Sequence, residues 1–352
     1  MIGIQKAALM AFALTTGLSS AAIAAEITVM GYRGAFEENY VKAVIEPFQK
    51  AHPDIKVNFF GVQNAATALG NMRAQKDNPA VNAVIFDLSV AKIASEEGLV
   101  EDIPLEKLTH YQDIFDMGRE LGGQAIPLTY DTLNLIYNTK AYPEAPESWE
   151  ALWDPKVDGM LVLPAQGGGD IQAILLTIVA NQLAGETDYK SNIRPGVEKL
   201  VELAPMVQTW EPKPDSYTIV ADGTANLSIG YNARGQYYVD FTEGRLGTSL
   251  PKEGAPAQIN VISQIANSNE PEATLTFINY ALSPEAQAAF AAAMFYAPTN
   301  TKAEVSPEVQ ARIPFLDPEK QEHLIHVDWM AIGDLRETFL TPWKREIIPA
   351  GR

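Results

Sequence analysis

Chemistry that cleaves or transfers a group needs a nucleophile beside a base, and this sequence offers few candidates. It has no cysteine, which excludes disulfide frameworks, cysteine-held zinc or iron–sulfur sites and thiol nucleophiles. Its histidines are His52, His110, His323 and His326, and neither a Gly-x-Ser-x-Gly elbow nor a His-Glu-x-x-His pair occurs. His323 and His326 stand three apart and could share a helix face around a metal, but an unaccompanied pair reads first as surface. No catalytic residue, metal site or cofactor is therefore assigned. A secreted hydrolase survives only as an alternative of another class.

Binding chemistry is better represented. Gln166-Gly167-Gly168-Gly169-Asp170 follows a strand and opens a helix, where backbone N–H groups can hold an anionic group. It lacks the spacing and the lysine of nucleotide loops, and a tight turn with Asp170 as helix cap explains it equally well. Tyr231-Asn232-Ala233-Arg234 sits where a strand enters a helix, the position at which α/β sheets gather ligand contacts. Arg234 there can pair bidentately with a carboxylate, or simply be a solvated first-turn arginine. Tyr237-Tyr238 suggests the tyrosine pair of ferric-ion binders. Adjacent helical residues point about 100° apart, so at least one of the two is expected in the core.

These residues need elements to carry them. Glu26–Tyr32, Ile55–Phe60 and Val81–Leu88 read as strands alternating with helices, a β-α-β-α-β-α order that implies a parallel sheet. Residues 125–130 and 132–138 are two extended segments with almost no room between them, so one long strand could pass from one domain to another. A second α/β unit follows, with a strand at 159–164, helices over 171–183 and 192–203, and a strand at 225–231 leading into helix 234–242. Residues 257–266 are again extended and could be the return crossing. Helices are expected at 270–281 and 284–294, and residues 318–349 carry an aromatic and aliphatic set that reads as helical and packed.

The chain has 352 residues, a size suited to two domains. Lys6, the apolar run 7–14 and Ala22-Ile23-Ala24 read as a secretory leader over 1–24, cut before Ala25. The rest then carries 25 basic residues against 44 acidic, a formal charge of −19, which argues against nucleic acid as a partner.

Several motifs, in order, carry a resemblance: Gly31-Tyr32-Arg33-Gly34-Ala35, Pro127-Leu128-Thr129-Tyr130-Asp131-Thr132, Ser148-Trp149 through Trp153-Asp154-Pro155, Tyr231 to Arg234, and Phe277-Ile278-Asn279-Tyr280 through Ser283-Pro284-Glu285. Over nearly the whole exported chain the sequence resembles extracellular solute-binding proteins of ABC importers, in the branch that contains spermidine/putrescine binders. The resemblance implies an α/β, two-lobed periplasmic binding protein fold of type II-like form, with a hinge and an interlobe cleft. Lobe 1 is expected over 25–128 plus 257–320, lobe 2 over 132–254, and C-terminal helices over 321–352 packing across both. It implies a monomer located in the periplasm that hands a small-molecule ligand to a membrane permease. Position in that frame selects Tyr32, Arg33, Asp87, Ser89, Tyr130, Asp131, Gly168, Gly169, Trp210, Tyr231 and Arg234 as ligand-binding candidates. Polyamine members tend to show Trp-Asn-Gly followed by a small or acidic residue, whereas this chain has Tyr231-Asn232-Ala233-Arg234. The ligand expected is a small amine-bearing solute, a polyamine or an ω-amino acid-like one; a cation facing the ligand would repel the first and suit the second, which also bears a carboxylate. A ferric-ion binder on the same fold is the alternative.

Overall fold

The computed structural model describes residues 25–351, so the expected leader over 1–24 lies outside the described residues. Eleven strands run in chain order: β1 (Ala25–Tyr32), β2 (Ile55–Val62), β3 (Ala83–Asp87), β4 (Ile126–Asn138), β5 (Leu161–Val162), β6 (Val207–Thr209), β7 (Leu227–Tyr231), β8 (Leu246–Ser249), β9 (Ala255–Gln264), β10 (Ala297–Pro298) and β11 (Leu324–Ile325). Lateral pairing follows β2-β1-β3-β9-β4-β7-β5-β6.

The two extended segments at 125–138 form one strand, β4, whose halves belong to different ladders. Ile126–Thr132 pairs with β9, and Leu133–Asn138 pairs with β7 and β8. All of β9 and all of β4 except Tyr137 are buried, the polar residues of both strands included. The expected parallel order holds for β1 with β2 and β3. The whole sheet is nevertheless mixed, because β9 lies antiparallel to both β3 and β4. The reason is directional: β4 carries the chain out of one ladder, β9 brings it back, and two such crossings lying side by side must run in opposite senses.

Each ladder is covered by helices. Phe277 and Phe290, from helices Pro271–Ala281 and Pro284–Met294, meet Phe48 and Phe36 edge-on at 5.1 Å in a core shared with Ile27, Val29 and Ile85. Helix Asp170–Leu183 is almost wholly buried against the second ladder. Helix Trp329–Pro342 packs against both it and helix Leu88–Glu96. Two of its residues ion-pair in different directions, Asp334 with Lys92 at 2.6 Å and Arg336 with Asp170 at 2.7 Å. Among the described residues no helix is long and apolar enough to cross a membrane.

The turn before β9 is tied down by residues of the Ser-Trp motif. Glu253 accepts hydrogen bonds from the Ser148 hydroxyl at 2.5 Å and the Trp149 N–H at 3.1 Å, and the Trp149 indole donates to the Gly254 carbonyl at 2.7 Å. That anchoring fixes where the chain starts its return. Glu253→Ala removes both carboxylate bonds and should cost about 1.5–3 kcal/mol of stability. A urea titration that gives the variant and the wild type the same midpoint would contradict this account.

Candidate functional site

Strand ends and helix starts from both ladders converge on a cavity of about 790 Å³. Tyr32 ends β1, Asp87 ends β3, Tyr231 ends β7 and Gly169 caps helix Asp170–Leu183, and all four line it. This is the position at which open α/β sheets expose backbone donors and side chains to a ligand.

One wall is a hydrogen-bonded carboxylate. Asp87 is buried, and its Oδ2 accepts from the Tyr32 hydroxyl at 3.1 Å and its Oδ1 from the Gln258 amide at 2.5 Å. The Tyr32 hydroxyl also lies 3.0 Å from Asn260 Oδ1, so its single proton is shared between two acceptors. Burial raises the Asp87 carboxyl above its ordinary range, against the opposing pull of Gln258, Tyr32 and, more weakly, Arg336. A ligand ammonium would relieve that penalty directly. Tyr32 and Tyr231 are pushed well above the ordinary phenol range, first by burial and next by the Asp87 charge, so both hydroxyls stay protonated.

The opposite charge stands on the helix that follows β7. Arg234 is half-buried and lines the cavity, yet among the described residues no group hydrogen-bonds or ion-pairs with its guanidinium. Burial opposes its charge, while Tyr217, Tyr296, Tyr238 and Asp215 favour it and prevail. Tyr296 feels both ends of the cleft: burial raises its hydroxyl first, and Asp131, Arg234 and Asp87 all act on it. The cleft lining thus includes the Arg234 guanidinium and the buried Asp87 carboxylate, with Tyr32, Tyr231 and Tyr296 beside them and Arg33 and Arg336 also in the wall.

The mouth is bridged. The Gln63 amide donates to the Gly167 carbonyl at 2.8 Å. Gly168 has φ 116°, and a Cβ there would lie 2.2 Å from the Asn64 amide nitrogen, so only glycine fits. Asp170, the helix cap in one of the two readings of this loop, instead pairs with Arg336, and Gly169 occupies the cap position.

Seven of the eleven candidates line the cavity: Tyr32, Arg33, Asp87, Gly168, Gly169, Tyr231 and Arg234. Four do not. The Tyr130 hydroxyl donates to the Met117 carbonyl at 2.7 Å and its ring stacks on Phe315. Trp210 packs edge-on against Trp343 in the core. Ser89 is buried in its helix with no partner for its hydroxyl among the described residues. Asp131 lies behind the wall: its Oδ1 accepts from the Thr132 N–H at 2.8 Å and the Ala233 N–H at 3.0 Å, holding the start of the helix that carries Arg234. These four residue types suit a core position as well as a cleft, and Tyr130 and Asp131 stand on a strand that runs behind the cavity. Strand alternation links Gln258 with Asn260, polar residues two apart in β9 that both line it.

Of the tyrosine pair, Tyr238 lines the cavity and donates to Asp215, while Tyr237 packs against the first core and Phe241. His323 and His326 flank β11 and share no helix. Among the described residues no group of three or more histidine, aspartate or glutamate side chains is arranged to hold a metal.

Asp131 generates a pH prediction. Burial pushes its carboxyl up to about 7, against the pull of the two backbone N–H groups and Arg234. A carboxyl raised on folding contributes stability that is full below its unfolded value and is lost as pH rises through its folded value. The wild type should therefore lose stability between about pH 4 and 7 relative to Asp131→Asn, by a few kcal/mol. Parallel stability profiles for the two proteins would refute the assignment.

Comparison with known proteins places this geometry. Residues 43–315 match the family described as bacterial extracellular solute-binding proteins. No curated protein matches the chain. Among solved structures, the periplasmic binding protein AgtB of A. tumefaciens R10 in complex with agropinic acid is 18% identical, with 92% of this chain and 99% of that one covered and a TM-score of 0.78. The Atu4243 GABA receptor is 18% identical over 91% of this chain and 96% of its own, with a TM-score of 0.73. The spermidine/putrescine transporter's substrate-binding protein PotD of Streptococcus pneumoniae, in complex with calcium and HEPES, is 16% identical over 91% and 99%, with a TM-score of 0.71.

Proposed function

This chain belongs to the bacterial extracellular solute-binding proteins, and from that premise we propose that its cleft captures a small solute bearing both an ammonium and a carboxylate group. The observation that carries the reading is Arg234, a guanidinium in the cavity wall with no partner among the described residues, in a cleft that also contains the buried Asp87 carboxylate. A ligand carboxylate pairs with Arg234 by the fork geometry that suits it, and a ligand ammonium compensates Asp87. Tyr32, Tyr231 and Tyr296 supply aromatic faces for the methylene stem and for the cation. A plain polyamine would leave a like charge beside Arg234. The ferric alternative loses one of its two grounds, the tyrosine pair, since Tyr237 packs against the core, and keeps the other, the tyrosines that line the cavity.

In this reading the protein is a periplasmic, monomeric carrier that turns nothing over and delivers its solute to an ABC permease. Its lobes are 25–128 with 257–320, and 132–254. They close on hinges near 128–132 and 255–258, where β4 and β9 cross, with the C-terminal helices packed across both. The structures named for agropinic acid and GABA support a carboxylate-bearing solute.

The test is a thermal-shift panel of polyamines, ω-amino acids and compatible solutes, followed by calorimetry of Arg234→Ala. An ω-amino acid at 100 times its dissociation constant should stabilise the protein by about 2.7 kcal/mol. The alanine variant should lose about 2–5 kcal/mol of its affinity, as when the partner of a buried charge is removed. Tighter binding of a plain polyamine by the variant, or unchanged affinity for the amino acid, would end this reading.

A further inference from the structure

We infer that Asp131 positions Arg234 and takes up a proton when an anionic group of the ligand settles on that guanidinium, an inference that rests on Arg234 being the carboxylate-binding group. Asp131 stands in β4 directly opposite Gln258 and is 3% exposed. Its two oxygens are used differently. Oδ1 accepts two backbone N–H bonds, one from Ala233, the residue before Arg234. Oδ2 is buried and has no hydrogen-bond partner among the described residues. The first oxygen fixes the start of the Arg234 helix; the second presents bare lone pairs to the interior, a costly arrangement for an anion.

The groups acting on this carboxyl come from four elements: Arg234 from helix Asn232–Phe241, Tyr231 from the end of β7, Tyr217 from helix Ser216–Asp222, and Tyr296 just before β10. Burial pushes all three phenols up, so they are neutral at ordinary pH. Gln258, opposite on β9, turns its amide to Asp87 and Asn260. Arg234 is therefore the full charge that compensates Asp131. A ligand carboxylate placed on Arg234 cancels that compensation and adds a like charge nearby. The carboxylate of Asp131 then accepts a proton from the solvent buffer at Oδ2, forming one O–H bond while the buffer acid becomes its conjugate base. Because the carboxyl of the ligand-free cleft is poised at about 7, the exchange falls at neutral pH.

Two measurements test this. In the ligand-free protein, the infrared band of the buried protonated carboxyl is titrated from pH 5 to 9 in the wild type, D131N and R234Q. The band should titrate near pH 7 in the wild type, vanish in D131N and shift to higher pH in R234Q, which mimics the neutralised guanidinium. A band that R234Q leaves in place overturns the coupling, and the same comparison made with D87N, which removes the other buried carboxyl raised by burial, stands even where D131N fails to fold. Calorimetry with γ-aminobutyrate as probe, in two buffers of different ionisation heat, then counts protons. Uptake of up to about half a proton at pH 7, fading by pH 5.5 and absent in D131N, is expected. Binding without uptake overturns the inference while sparing the carboxylate reading. Failure of γ-aminobutyrate to bind counts against the reading of the site, and the R234Q titration then decides the coupling on its own.

Discussion

The antiparallel pairing of β4 with β9 is the constraint on which the rest of this structure depends. A chain that builds two α/β ladders and returns to the first must cross between them at least twice. Each crossing carries backbone N–H and C=O groups through the interior, and those groups have to be paired. Laying the outgoing and returning strands side by side satisfies both sets at once, from Ile126↔Ile262 to Thr132↔Ala257. Asp131 and Gln258 face each other across that pair, so the groups that organise the cleft sit on the crossing itself. The Glu253 anchor immediately upstream fixes where the return begins.

The cleft distributes polar groups by the cost of leaving them unpaired. Charges paired with one another in the chain, such as Arg336 with Asp170 and Lys213 with Glu211, also line it. Asp87 deeper inside is given neutral donors rather than a cation, which keeps it soluble in the interior without cancelling its charge. Arg234 receives no donor or acceptor of its own. For the proposed zwitterionic solute, such an arrangement would discriminate by mismatch, since a solute lacking either charge would leave one of these protein groups uncompensated.

The sequence was legible where period, length and helix punctuation agreed. The helix expected over 284–294 is found at Pro284–Met294, where Ser283 caps it and Pro284 occupies its first turn. The strand expected over 159–164 shrank to Leu161–Val162, with Gly159 at φ 71° before it. The site was legible at strand ends, where Tyr32, Asp87 and Tyr231 follow from position in an α/β unit. It was illegible inside β4 and β9. There both faces are buried, so burial does not separate the cleft face from the other, and only the polar pair Gln258 and Asn260, two apart in β9, marks it. Tyr130 and Asp131 are neighbours and must point to opposite faces, yet neither lines the cavity, because the strand runs behind it. Arg336 comes from a helix more than a hundred residues after the rest of its partners, a proximity that no local pattern encodes.

The C-terminal helix has a mechanical meaning that its ion pairs define. Asp334 and Arg336 are two positions apart, so their side chains leave the helix about 200° from each other. One grips Lys92 on the first ladder's helix, the other Asp170 at the start of the second ladder's helix. The helix behaves as a roller held between two plates: it cannot travel with one without letting go of the other. Each grip sets a sheltered cation against a more open carboxylate: Lys92 at 13% against Asp334 at 67%, and Arg336 at 16% against Asp170 at 38%. Salt therefore reaches both pairs from the carboxylate side, while the helix keeps its packing on both neighbours.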